Sequence, residues 1–371
     1  MKIGIVCDAI YPYHKGGKEK RWFEITSKLS RKHEVHVYCM KWWKGEEKIK
    51  KNNICLHAIS RCVPLYNKKG KRSIWQGIYF GFSCLKLIKE DFDVLDVDQM
   101  PIFPVFFSKL VCLLKRKKMI VTWNEVWGLS YWIEYLGIKG ILGYSAEKIA
   151  SLLPDKIISI SPFTTKKLIN ELKVNPEKIE TIPPGIDFKE IQKINTKRVR
   201  NKIVFVGRLL KHKNADLLIE SLARIKSAKL SIVGNGPEKE MLEKLAERLK
   251  VNAEFSKFEK HEDVIKEIKS SSVLVLPSSR EGFGMVVIEA NACGVPVITV
   301  NEDDNAAKEL IINGKNGFVC RLEEKTLAKK IQSLLKNNFY KKMEKDCISI
   351  SKNYDLGTLT KKIEEVYLHE Q

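Results

Sequence analysis

Short runs of apolar, mostly β-branched residues alternate with longer amphipathic stretches along almost the whole chain. The stretches, such as GKEKRWFEITSKLSRK and PEKEMLEKLAERLK, have the apolar spacing of helices. Because strands joined by helices form parallel sheets that are covered on both faces, the alternation predicts an α/β fold. The apolar runs predict strands over 2–7, 34–40, 54–59, 93–97, 118–122, 156–160, 202–206, 229–233, 273–276 and 295–299.

The alternation restarts after a polar, basic stretch, KINTKRVRNK, that precedes a new buried strand. A chain of 371 residues is too long for one compact core, so we expect two Rossmann-like, doubly wound domains, 1–195 and 196–352, facing a central cleft. Residues 353–371 are expected to form a terminal amphipathic helix that packs back on the first domain. Ligands of such sheets bind beyond the carboxyl ends of the strands, so functional residues are sought there.

The nine cysteines contain no C-x-x-C pair, which favours reduced thiols over a disulfide framework or a zinc site. The sequence opens directly into a strand pattern, so we predict no signal peptide. No apolar run reaches the roughly 18 residues that span a bilayer. We therefore expect a cytoplasmic protein, either free or attached peripherally to the inner face of the membrane.

The formal net charge is +21, and the segment between Glu47 and Glu90 has ten cationic residues but no acidic one. Aromatic residues lie among these cations. Two interpretations stay open: the segment binds an anionic membrane surface or a phosphate-bearing acceptor, or it reflects a compositional bias with the aromatic residues in the core. A nucleic-acid-binding protein is the rival reading of the charge. We expect no nucleic-acid partner, because the recognisable motifs are missing and the cations spread over both domains.

Two cations follow the first strand of the second predicted domain, in VGRLLKHKNADLL. Gly207 ends the strand, Arg208 and Lys213 lie in the turn, and a helix is expected to begin around Asn214, which can cap it. Cations beside a helix N-terminus at a strand's carboxyl end suit a diphosphate. The alternative is a pair of solvated surface charges.

Two glutamates stand eight positions apart in SSREGFGMVVIEANACG. Glu281 lies in a glycine-containing loop, and Glu289 lies in a helix that is apolar on nearly every face and therefore buried. An unpaired Glu289 would cost on the order of several kcal/mol, so it needs a hydrogen-bonding partner. The amides of Phe283, Gly284 and Met285 can bind an anion, and the carboxylates can accept hydrogen bonds from sugar hydroxyls. The alternative is a capping Glu281 and a Glu289 paired with a cation.

Two glycine turns give weaker signals. Gly234 and Gly236, in GNGPEKE, follow a strand and open a helix, and we expect them to line the cleft. Gly16 and Gly17 precede the first helix and would let a ligand approach backbone amides; the alternative is a plain turn.

Together these motifs resemble the retaining glycosyltransferases of family 4, also called glycosyl transferases group 1, which have the two-domain GT-B architecture. The resemblance covers essentially the whole chain and is most specific in PSSREGFGMVVIEANACGVPVI, residues 277–298. It implies that Arg208 and Lys213 bind a donor diphosphate with Gly16 and Gly17. It also implies that Glu289 binds the ribose hydroxyls and that Glu281 binds the transferred sugar. The donor would further contact the amides of Phe283, Gly284 and Met285.

The resemblance implies a retaining, metal-independent hexosyltransferase that needs no cofactor and moves sugar from a nucleotide donor to a glycan or lipid-linked acceptor. Asn124 occupies the position in VTWNEVWG where the family commonly has a histidine near the sugar, and it is assigned a catalytic role there. Asn124 can hydrogen-bond a hydroxyl but cannot titrate. This departure keeps a non-catalytic glycan-binding relative as an alternative function.

The sequence Asp96-Val97-Asp98 matches the D-x-D metal-binding signature of the other, single-domain glycosyltransferase architecture. The spacing is common by chance, and the cations of the second domain make a metal unnecessary. We expect Asp96 to lie at a strand end and to face solvent.

Overall fold

The computed structural model of this chain describes residues 1–14, 16–66, 72–258 and 260–370. The chain divides into two compact units, one formed by Met1–Gly185 with Leu356–Gln371 and the other by Ile186–Asp355. Each unit is an α/β layer built on a mainly parallel sheet, as the alternation of strands and helices predicts.

The first unit contains eight paired strands among its described residues, in the order β3-β4-β2-β1-β5-β6-β7-β8. All neighbours are parallel except β3 and β4, which are antiparallel. The strands are β1 (Lys2–Val6), β2 (Glu34–Lys41), β3 (Lys48–Lys51), β4 (Ile54–Arg61), β5 (Val94–Asp98), β6 (Lys118–Trp123), β7 (Lys156–Ser159) and β8 (Ile179–Thr181). The helices are α1 (Gly17–Leu29), α2 (Ile74–Ser83), α3 (Phe103–Lys115), α4 (Gly128–Leu136), α5 (Gly140–Leu152) and α6 (Pro162–Asn170).

The second unit has a six-stranded parallel sheet in its described part, in the order β11-β10-β9-β12-β14-β16, and a small two-stranded sheet of β13 and β15. Its strands are β9 (Lys202–Val206), β10 (Lys229–Val233), β11 (Ala253–Ser256), β12 (Val273–Leu276), β13 (Arg280–Glu281), β14 (Val297–Val300), β15 (Asp304–Asn305) and β16 (Gly317–Cys320). Its helices are α7 (Phe188–Lys193), α8 (Ala215–Leu222), α9 (Lys239–Arg248), α10 (His261–Lys269), α11 (Met285–Ala292), α12 (Glu324–Leu335) and α13 (Glu344–Ser351).

Apolar side chains of the central strands form the two cores, because these strands are covered on both faces. Tyr38 and Val97 pack with Phe80 of α2 in the first unit. Phe205 and Ile298 pack with helix residues such as Leu218 in the second. Buried strands of this kind appear in the sequence as continuous apolar runs, which is why the sequence predicts them well.

The boundary between the units lies at Gly185–Ile186, ten residues before the predicted position. Helix α7 already belongs to the second unit, where Gln192 Nε2 donates a hydrogen bond to the carbonyl of Ala292 (2.5 Å). The basic stretch that resembles a linker is also fixed, since Arg198 Nη1 lies 2.9 Å from Glu344 Oε2. These contacts could not be predicted, because a polar sequence gives no pattern that distinguishes packed residues from a linker.

The chain ends with α14 (Leu356–His369), which belongs to the first unit and contacts α1. Its Tyr367 Oη donates a hydrogen bond to Asp96 Oδ2 (2.6 Å), and Thr122 donates to the same carboxylate from its amide and its hydroxyl (3.1 and 3.0 Å). Asp96 is therefore fully buried, and the expectation that it faces solvent was wrong. Strand β5 lies between β1 and β6, so a side chain on this face meets a covering helix.

The basic segment between residues 47 and 90 lies only partly within the described residues, because Lys68, Lys69 and Lys71 fall outside them. Some of its aromatic residues lie in the core and others face solvent, so each of the two interpretations of this segment describes part of it. Phe80 is completely buried in the core, whereas Trp75 and Phe82 are exposed.

The pKa of Asp96 is raised to about 6 because burial disfavours the carboxylate, and hydrogen bonds from Tyr367 and Thr122 offset only part of that effect. An unfolded aspartate has a pKa of about 3.9. Between these two values the folded chain binds more protons than the unfolded chain, so the stability contributed by Asp96 falls as the pH rises.

Asp96→Asn removes this titration, so its free energy of unfolding relative to wild type should rise by about 2 to 3 kcal/mol between pH 4 and pH 7. Denaturant titrations at the two pH values measure the change. The exposed Asp91→Asn variant is the control and should show no such gain. An Asp96→Asn effect that is equal at both pH values would contradict the assignment.

Candidate functional site

The loop after β9 is held closely against the loop after β10. Leu209 N donates a hydrogen bond to the carbonyl of Asn235 (2.9 Å). A Cβ on Gly234 would overlap the carbonyl oxygen of Gly207, and a Cβ on Gly236 would overlap that of Leu209. These glycines are therefore required for the close approach of two loops at the carboxyl edge of the second sheet.

Arg208 and Lys213 occupy the loop that follows β9, and Arg208 is exposed. Helix α8 begins after Asn214, as predicted, but Asn214 does not cap it. The residue has left-handed backbone angles (φ 49°, ψ 40°), and its Nδ2 donates to the carbonyl of Pro277 (2.9 Å). This bond ties the loop after β9 to the end of β12.

Lys213 and Glu281 lie together in the second unit. Lys213 Nζ donates to Glu281 Oε1 at 2.5 Å, and both side chains are less than one fifth exposed. Glu281 is positioned by β13, which pairs in parallel with β15 through Glu281 and Asn305. Asn305 is itself buried and bonded to Thr299 Oγ1 (3.0 Å). The structure thus brings the predicted diphosphate cation and sugar carboxylate into direct contact.

Helix α11 begins beside this pair. Gly284 precedes its first residue, Met285, and has φ +100°, and a Cβ there would meet Ala307 Cβ at 2.8 Å. The preceding Phe283 is buried and contacts Tyr354 edge-on, with ring centroids 5.9 Å apart. Val287 N donates to the carbonyl of Gly284 (2.8 Å), and the positive end of the helix dipole favours an anion at this end of α11.

Glu289 is buried on α11, one turn further along, and its Oε1 lies 3.2 Å from Nε2 of His261. Glu289 therefore has a polar partner, as the sequence predicts. That this partner is His261 was not predicted. His261 is a single histidine at the start of α10, more than 25 residues from Glu289 along the chain. No local sequence pattern connects the two residues.

In the first unit, Gly16 caps the start of α1 and Gly17 is its first residue. A Cβ on Gly16 would overlap the carboxylate of Glu19, which folds back to His14 Nδ1 (3.2 Å). A Cβ on Gly17 would meet no described atom within 4 Å. Gly17 therefore leaves open space above the backbone. Gly16 is explained locally, because a larger residue there would collide with Glu19.

Asn124 follows β6, and its Nδ2 donates to Asp98 Oδ1 (3.3 Å). Trp22 Nε1 donates to the other carboxylate oxygen of Asp98 (2.6 Å), and Lys18 Nζ lies 3.4 Å from Oδ1. The position at which the family commonly has a histidine is thus occupied by an amide that donates to a carboxylate.

Asp8 lies at the end of β1 in the same polar cluster. It accepts hydrogen bonds from Lys18 Nζ (3.0 Å), Gln76 Nε2 (3.1 Å) and Arg72. Burial would raise the pKa of Asp8, but Arg72 and Lys18 outweigh burial and hold it below its usual value. The cluster is a charge-balanced patch at the carboxyl edge of the first sheet.

A small apolar pocket of about 40 Å³ adjoins Arg72 in this unit. Its walls combine the start of α2, the segment between β5 and α3, and the aromatic side chains of α4 and the residue before it. They include Ile74, Gly77, Met100, Ile102, Phe103, Trp127, Trp132 and Tyr135.

Two family models together match nearly the whole chain. The model described as Glycosyltransferase Family 4 matches residues 15–190, and the model described as Glycosyl transferases group 1 matches residues 187–354. The chain therefore belongs to glycosyltransferase family 4, glycosyl transferases group 1.

The chain is 33% identical over 218 residues to the capsular polysaccharide biosynthesis glycosyltransferase CapM of Staphylococcus aureus, spanning 54% of this chain and 57% of that protein. It is 27% identical to the uncharacterized glycosyltransferase MJ1178 of Methanocaldococcus jannaschii, over 92% of this chain and 90% of that protein. The chain thus spans little more than half the length of some relatives that it matches and most of the length of others.

Solved structures share the fold at low identity. Sucrose-phosphate synthase from Thermosynechococcus elongatus has a TM-score of 0.80 at 17% identity, covering 99% of this chain and 98% of that one. Anabaena Alr3699/HepE, whose structure contains UDP and glucose, has a TM-score of 0.75 at 17% identity and covers 99% of both chains. The GT-B fold predicted from the sequence is confirmed.

Gly284→Ala should destabilise the protein by about 1 to 3 kcal/mol, because the alanine must adopt a positive φ and its Cβ collides with Ala307. Gly17→Ala is the matched control, since its Cβ enters open space. Thermal and denaturant unfolding measure both variants. Equal stability of the two variants would contradict the geometry described for the start of α11.

Proposed function

We propose that this protein transfers a sugar from a nucleotide-diphosphate sugar to a glycan or lipid-linked acceptor, with retention of the anomeric configuration, in the biosynthesis of a glycan. The observation that carries the proposal is the meeting of Lys213, Glu281 and the start of α11 at one edge of the second sheet. A cation, an acid and a helix N-terminus in one place fit the diphosphate and the hydroxyls of such a donor.

In this proposal Arg208 and Lys213 bind the donor diphosphate, together with the first amides of α11. Glu289 accepts hydrogen bonds from the ribose hydroxyls while His261 keeps it oriented. The diphosphate competes with Glu281 for Lys213, so donor binding releases Glu281 to accept hydrogen bonds from the transferred sugar. We also propose that no metal or cofactor is required, because cations and helix amides can stabilise the leaving diphosphate.

The proposed step is a front-face substitution at the anomeric carbon. The bond from this carbon to the diphosphate oxygen breaks through an oxocarbenium-like state, and the acceptor oxygen forms the new bond on the same face. The acceptor proton passes to the departing phosphate oxygen, which leaves as the nucleoside diphosphate. Asn124 is proposed to hydrogen-bond a sugar hydroxyl without exchanging a proton.

The first unit supports an acceptor that is partly apolar. Its pocket is lined by aliphatic and aromatic side chains, and Arg72 stands at its edge beside Asp8. A carrier lipid next to a phosphate group combines these two chemistries. We therefore propose a lipid-linked acceptor and peripheral attachment to an anionic membrane.

Glu281→Gln and Glu289→Ala should each lower the turnover number on the order of 100-fold or more. The first replaces a charged acceptor by a neutral amide that no longer forms an ion pair with Lys213, and the second removes the acceptor altogether. Release of nucleoside diphosphate in the presence of acceptor measures turnover. Glu254→Gln, an exposed acid on β11, is the matched control and should retain wild-type turnover. Unchanged turnover of the Glu281 and Glu289 variants would refute the assigned roles.

A nucleotide-sugar donor should raise the unfolding temperature of the wild-type protein. At about 100 times the dissociation constant, binding adds about 2.7 kcal/mol to the free energy of unfolding. A thermal-shift screen of UDP-, GDP- and ADP-sugars identifies the donor, and Lys213→Ala should abolish the shift. A screen in which duplex DNA stabilises the protein, with steep salt dependence and no response to any sugar nucleotide, would favour nucleic-acid binding instead.

A further inference from the structure

Helices α4 and α5 pack against each other as a hairpin that encloses a buried acid. Glu147 is buried there and accepts hydrogen bonds from Trp127 N (2.8 Å), Gly128 N (3.0 Å) and Trp132 Nε1 (2.9 Å). The indole of Trp132 lies where a Cβ on Gly143 would be, so the two helices approach closely around it. The side chains between the two helices are thus closely packed and hydrogen-bonded.

The outer face of the same hairpin is aliphatic. Ile138 is 83% exposed and Leu142 is 73% exposed. On α5, Leu142 and Ile149 are seven residues apart and Ile149 and Leu152 three, which places them on one side of the helix. Single exposed aliphatic residues are ordinary, but a series along two consecutive helices forms a patch. The hairpin patch consists of Leu129, Ile133, Ile138, Ile141, Leu142, Ile149 and Leu152.

The charges near the hairpin patch are mainly positive. Lys139 is exposed in the turn between the helices, and Lys148 lies on α5. Of the two acids of the hairpin, Glu147 is buried and hydrogen-bonded, which leaves Glu134 as the exposed one. A surface that combines aliphatic side chains with lysines complements a lipid bilayer with anionic headgroups.

We propose that the α4–α5 hairpin docks this protein on an anionic lipid bilayer, with Ile138 and Leu142 entering the boundary between headgroups and acyl chains. The most exposed side chain, Ile138, lies at the tip of the hairpin, as expected of an element that inserts. No helix in the described ranges is long and apolar enough to cross a membrane, so the contact is interfacial. This inference rests on the proposed function for its lipid-linked acceptor and places a membrane contact at the hairpin.

The test is co-sedimentation of the intact protein with vesicles of phosphatidylcholine alone or with one third phosphatidylglycerol. Wild type should bind the anionic vesicles, and the double variant Ile138→Glu with Leu142→Glu should bind roughly tenfold more weakly. Both positions face water, so the variant should keep the wild-type unfolding temperature. The matched control is Met241→Glu with Ile312→Glu, exposed positions of the second unit, and it should bind as wild type does.

Equal vesicle binding by wild type and the hairpin variant, or no binding by either, would overturn the inference. A wild-type dimer that the hairpin variant converts to a monomer in analytical ultracentrifugation would also overturn it, because a second copy would then cover the hairpin patch. The thermal shift produced by the donor should be the same in wild type and variant. A retained donor shift with undiminished vesicle binding by the variant would overturn the hairpin inference alone. A donor shift that is absent from both proteins would instead count against the proposed transferase function.

Discussion

The ion pair between Lys213 and Glu281 is the interaction on which the candidate donor site depends. It joins the loop after β9 to the strand β13 at 2.5 Å, and both side chains are largely withdrawn from water. A partly buried charge is stable only with a partner, so each of the two residues holds the other in place. In the proposed function a diphosphate replaces Glu281 at Lys213, and Glu281 then accepts hydrogen bonds from the hydroxyls of the transferred sugar. The pair therefore keeps the site assembled and supplies a point at which a donor can enter.

Parallel topology explains why residues distant in sequence converge on that pair. The loops after β9, β10 and β12 leave from the same edge of the sheet, and glycines at 234 and 236 allow two of them to touch. Asn214 then links the first loop to Pro277. The candidate donor site is thus built on loops that contact one another at one edge of the sheet.

Much of the fold could be predicted because its main strands are local apolar runs. All ten predicted strands form, with ends that differ by at most two residues. The missed strands have two to four residues, among them β8, β13 and β15, and are too short to leave a pattern. The motif around Glu281 and Glu289 was also local. His261 and the burial of Asp96 were missed because both arise from tertiary contacts, with α11 in one case and with α14 in the other.

In the proposed function a sugar nucleotide binds at the edge formed by residues 207–214 and 280–289. Hydrogen–deuterium exchange of the intact protein, with and without the donor found by screening, tests it most directly. The donor should slow amide exchange in peptides covering these two segments, including the first turn of α11, and should leave α12 unchanged. Exchange that is unaltered in both segments while the donor is bound, or protection confined to the first unit, would contradict the claim.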